Sequence, residues 1–152
     1  MAHLIRSTPV PSRWSLRIGW SLSGLAILML GMDAGAKLIA PEVMIANSPP
    51  LGLPADPGFH RILGAILALC TLLYAWPRTS PIGAVLLTGY LGGAVATHLR
   101  VDSPLVTHTF VSVYLGAIVW LGLMLRDRRV AALLATSQTA DQSLLAEDVF
   151  ND

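Results

Sequence analysis

Four long apolar runs, Leu16 to Met32, Ile62 to Trp76, Ile82 to Thr97 and Leu105 to Leu125, constrain this chain more than any other feature. A hydrocarbon layer about 30 Å thick is crossed by roughly 17 to 25 mostly apolar helical residues. Each run reaches or approaches that length once its flanks are added, the second by extension back to Phe59. Within lipid a segment must satisfy its own backbone N–H and C=O groups, which makes each run a helix. Only 12% of the 152 residues are charged while 54% are hydrophobic, too few charges to cover a water-soluble surface. The fold class expected is all-α: a transmembrane four-helix bundle with antiparallel up-down connections.

Punctuation sets the boundaries. Asp56-Pro57, Ser80-Pro81 and Ser103-Pro104 each place a capping side chain before proline, which suits the first helical position because it has no N–H to satisfy. The spacing predicts helices over about 15–38, 57–76, 81–99 and 104–126 in a domain of residues 15–129. A short segment, 1–14, precedes it. A tail, 130–152, carrying Asp141, Glu147, Asp148 and Asp152, follows as a flexible acidic extension. The links PRTSP and RVDSP force the second, third and fourth helices into adjacent antiparallel pairs. The 39–56 link, with Pro41, Pro49, Pro50 and Pro54, is either a spacer or a flap over one end of the bundle. A cleaved leader ending near Ala34-Gly35-Ala36 is the weaker reading, since Asp33 and Lys37 stand one turn apart as if the helix continued.

Basic residues orient the bundle. Arg6, Arg13, Arg17, Arg78, Arg126, Arg128 and Arg129 fall on one side, and Lys37, Arg61 and Arg100 on the other. This bias predicts an inner-membrane protein with both termini cytoplasmic. Trp14, Trp20, Trp76 and Trp120 fall toward that same side, where amphipathic rings suit the headgroup boundary. A net charge of +1 argues against a nucleic-acid partner. The single cysteine, Cys70, lies inside an apolar run and is read as core filling. No histidine, cysteine or carboxylate spacing suggests a metal, and no cofactor motif is evident.

The polar side chains gather at one end. Asp33 and Lys37 close the first helix, His60 and Arg61 open the second, His98, Arg100 and Asp102 close the third, and His108 opens the fourth. Ionisable groups near membrane depth are costly and are usually kept with a partner or a function. Asp33 and His98 are the candidates for moving a proton, histidine because it exchanges one near neutral pH. Lys37, His60, Arg61, Arg100, Asp102 and His108 are candidates for holding a ligand. The bland alternative is interfacial snorkelling, with Asp33 and Lys37 as a plain i, i+4 pair. On the third helix, Gly89, Gly92, Gly93 and Ala96 share a small-residue half and predict close helix packing.

The stretches LGMDAGAKL, PRTSPIGAVLLTGYLGGAVATHLR and WLGLMLRDRR resemble the DoxX-like family of small four-helix integral membrane proteins, over about residues 16 to 130. Lys37, His98 and Arg100 stand at the motif positions. The wider group looks like membrane subunits of a thiosulfate to quinone oxidoreductase, so the resemblance implies a subunit or scaffold of a membrane assembly linked to quinone or other small-molecule redox chemistry. Its partners would be the lipid bilayer and a membrane protein or further copies of the chain. One alternative is a membrane-embedded enzyme acting on a lipophilic or anionic small molecule through His98, Asp33, Lys37 and Arg100. The other is a small-molecule transporter, weakened by the scarcity of polar side chains at the helix centres.

Overall fold

The computed structural model describes residues 12–46, 51–101, 110–127, 129–130 and 132. Its elements are α1 (Arg13–Ile39), α2 (Pro41–Ala46), α3 (Pro57–Ala75), α4 (Ser80–Arg100) and α5 (Phe110–Arg126). Among the described residues the fold is all-α. Helices α1, α3 and α4 are long and apolar enough to span a membrane, and α5 is a shorter apolar helix of 17 residues. Large apolar side chains such as Leu28, Met32, Ile62, Leu69, Leu72, Ile82 and Val85 stand exposed on the outer faces, which in a membrane protein is the surface that meets lipid.

Local signals account for the ends. Ser12 accepts a hydrogen bond from the Ser15 N–H (3.2 Å) and caps α1. That helix stops at Ile39 because Pro41 cannot extend it, and Pro41 opens the short α2, which the sequence reading did not anticipate. Asp56 caps α3 as expected, accepting from the Phe59 N–H at 2.8 Å with Pro57 in the first turn. Ser80 departs from expectation. Thr79 occupies the cap position in a helical conformation without a side-chain cap, and Ser80 instead donates to the Pro77 carbonyl (3.2 Å). Thr79 donates to the Leu73 carbonyl (2.7 Å), so both hydroxyls serve the last carbonyls of α3 and the turn. The boundary read at Ser103-Pro104 and the 130–152 tail fall outside the described residues, apart from Val130 and Ala132.

The four long helices form a ring in which α1 and α4 each pack on α3 and α5, while α2 lies against α1 and α3. The core is Ala26, Leu30 and Ala34 from α1, Leu67, Cys70 and Tyr74 from α3, Ala84, Leu87 and Leu91 from α4, and Val119 and Leu123 from α5. Tyr74 ties three helices together. Its hydroxyl donates to the Val119 carbonyl (2.8 Å), so the Ser23 hydroxyl 2.9 Å away must be the donor to Tyr74, because a phenol has one proton to give.

Close helix approach occurs where glycine removes the side chain. A Cβ on Gly83 would lie 2.2 Å from the Tyr74 nitrogen, and one on Gly122 would lie 2.7 Å from Ser23 Oγ. Gly19 and Gly64 make similar approaches to α5 and α1. The packing expected of Gly89, Gly92 and Gly93 is not made among the described residues, since a Cβ on any of the three would meet nothing within 4 Å. Ala96 is likewise exposed.

Candidate functional site

Towards the end where α1 and α4 finish and α3 begins, the ring opens into a cavity of about 680 Å³. Its walls are mostly alkyl: Met29, Leu30, Leu63, Leu91, Val111 and Leu115. Leu51 and Leu53 line part of it, so the described stretch 51–53 ahead of α3 borders the cavity as a flap would. Arg100 fastens this flap. Its Nη2 donates to the Leu51 carbonyl at 3.1 Å, beside Gly52, whose φ of +61° is the left-handed turn that favours glycine.

The polar part of the wall comes from Asp33, Lys37, Tyr90, Thr97, His98 and Ser112. Asp33 and Lys37 pair across one helical turn, their side chains 45% and 16% exposed respectively. The pair is neutral as a whole, which lowers the cost of holding two charges at this depth. An ammonium has three N–H donors, and the bond to Asp33 takes one. Tyr90 lies within electrostatic range of the Asp33 carboxylate. His98 lines the cavity half-buried. Thr97 is held by its own helix, donating to the Gly93 carbonyl at 2.9 Å.

The remaining candidates divide. His60 is buried at 2% exposure beside Phe59, edge to face with ring centroids 5.6 Å apart, and Phe59 rather than His60 lines the cavity. Arg61 is exposed on α3. Arg100 holds the flap. Asp102 and His108 lie outside the described residues. Gly89 and Gly93, read above as packing residues, line the cavity and leave room for its volume. The sequence reading passed over Tyr90 and Ser112. Their signal was a polar group inside an apolar run, each three residues before another cavity-lining residue of the same helix, Gly93 and Leu115 respectively.

The geometry can be set beside known proteins. A family model described as the DoxX-like family matches residues 21–122, which span α1 to α5. The chain belongs to the DoxX-like family. No curated protein and no solved structure matches it significantly. Together with the apolar helices, membership identifies a DoxX-like membrane protein whose matched region takes in every cavity-lining side chain.

Proposed function

We propose that this DoxX-like protein binds a lipophilic small molecule in the cavity, its tail among the alkyl walls and its anionic or hydrogen-bond-accepting head at Lys37, Tyr90 and His98. The observation that carries the reading is the cavity itself: about 680 Å³, apolar in most of its lining, with a few polar side chains, Asp33, Lys37, Tyr90 and His98 among them. Small-molecule sites have this size and this mixture, a greasy wall with a few placed polar groups. A long-chain quinone head, which presents two carbonyl acceptors, fits such a wall, and the family resemblance points the same way. In this reading the protein is a membrane subunit that holds the molecule and presents it to a partner, in an inner membrane with both termini cytoplasmic.

The transport reading has less support. Beyond the cavity the bundle is filled by Ala26, Leu67, Leu87, Val119 and Leu123, a packed layer that gives a polar solute no path among the described residues. The scaffold role keeps its own observation: Gly92 and Ala96 stand exposed on α4, a small-residue surface available to another helix. The test is mass spectrometry of small molecules extracted from detergent-purified protein, compared with Gly93→Phe, which fills the cavity from a position with free space. A lipophilic compound present in the native protein and depleted in Gly93→Phe supports the proposal. Equal amounts in both, or none in either after supply of a long-chain quinone, would sink it.

A further inference from the structure

We propose a second site at the opposite end of the bundle: a groove that binds a phosphate-type oxyanion, as carried by an anionic phospholipid headgroup or by free phosphate. The groove, about 250 Å³, lies between the α3–α4 turn and the end of α5. Trp20, Ser80 and Pro77 line it together with Arg78, Arg126 and Arg129, against a single carboxylate, Asp127. One oxygen of that carboxylate accepts from the Arg129 backbone N–H at 2.9 Å, and three arginines against one carboxylate leave the groove lining with an excess of positive charge.

Arg126 is the centre of the site. Its guanidinium carbon lies 4.7 Å from the Trp20 ring centroid and 4.8 Å from that of Tyr74, so two aromatic faces hold it in place. Nη2 donates to the Tyr74 carbonyl (2.9 Å), one of the carbonyls left over in the last turn of α3. Nε and Nη1 are buried without a hydrogen-bond partner. Buried guanidinium N–H groups are costly to leave unmet, and a charged acceptor satisfies them best. A phosphate has several acceptor oxygens: it meets the exposed Arg78 and Arg129 directly, and Arg126, whose unpartnered Nε and Nη1 are covered, turns outward to donate to it. The N-terminal end of α4 adds positive partial charge at the same place. The site is independent of the cavity and of what the cavity holds.

The experiment uses the full chain purified in a maltoside detergent, with lipid retention read by native mass spectrometry. Phosphatidylglycerol, phosphatidylcholine and inorganic phosphate are the three probes. The expected result is retention of phosphatidylglycerol over phosphatidylcholine. Arg78→Ala combined with Arg129→Ala should weaken it about thirtyfold, from about 1 kcal/mol per cation facing an anionic headgroup. Both residues are exposed, so this variant keeps its fold; Arg126→Lys, which keeps the charge and loses the planar donors, tests the centre. Displacement of the lipid by millimolar phosphate, with the same dependence on the arginines, assigns free phosphate as the source; lipid binding that phosphate leaves unchanged assigns the headgroup. Absence of binding by either, or binding that both variants leave intact, overturns the proposal.

Discussion

Asp33 and Lys37 form a pair whose two halves should not be equivalent. The ammonium is the more enclosed partner, 16% exposed against 45% for the carboxylate. Asp33→Asn strands the more enclosed cation in a mostly apolar wall, whereas Lys37→Met leaves the carboxylate, whose larger open surface faces the cavity. A fully exposed i, i+4 pair contributes about 0.3–0.5 kcal/mol, and breaking a fully buried one costs about 3–5 kcal/mol. The observed exposure places this pair between the limits. Asp33→Asn is expected to cost about 2 kcal/mol, Lys37→Met about 1 kcal/mol, and the double variant less than their sum, with a coupling of about 1 kcal/mol. The assay is reversible unfolding in mixed micelles for the native protein, the two single variants and the double. Binding should split the other way: a head held by Lys37 is lost on Lys37→Met, about tenfold or more, and retained on Asp33→Asn. Equal costs for the single variants, or strict additivity in the double, would refute the claim that the less exposed charge depends on its partner.

Other consequences follow from the packing. Gly83→Val drives a side chain into the Tyr74 backbone and should cost about 3 kcal/mol by unfolding, while Gly92→Val on the same helix should change monomer stability by less than about 0.5 kcal/mol. If Gly92→Val instead dissociates a complex in size-exclusion runs, the exposed face of α4 is an interface. Tyr74→Phe removes two hydrogen bonds worth on average about 0.6 kcal/mol each in a membrane protein, a loss of about 1 kcal/mol in the same unfolding assay. Arg100→Ala frees the Leu51 carbonyl, so amide exchange at Gly52 and Leu53 should quicken, and a bound ligand should leave faster, with little change in global stability.

The helical architecture was legible because lipid imposes one solution on a long apolar run, and Asp56-Pro57 marked a helix start by chemistry local to four residues. The Asp33 and Lys37 pair was legible for the same reason, since one turn of helix brings them together. Ser80-Pro81 misled because its meaning depends on the carbonyls of the preceding helix, which the turn folds back within reach of Thr79 and Ser80. The glycines were legible only in part. GYLGG is the densest small-residue run, yet the closest crossings use isolated glycines, Gly19, Gly64, Gly83 and Gly122, each placed opposite a backbone that no single helix reveals. Tyr90 and Ser112 escaped notice because a single hydroxyl barely disturbs an apolar run, and only the three-dimensional opening between α4 and α5 makes them neighbours of Lys37 in one wall.

The cavity as a seat for a lipophilic ligand is tested most directly by chemical access. In a Cys70→Ser background, Gly93→Cys puts a thiol on the cavity wall at a position with open space around it. Its labelling rate by a lipid-soluble maleimide is then measured with and without saturating long-chain quinone. The expected result is strong protection of Gly93→Cys by the quinone, with no protection of a control thiol introduced at exposed Gly92. Equal labelling at position 93 in the presence and absence of the quinone, or equal protection at both positions, would contradict the account.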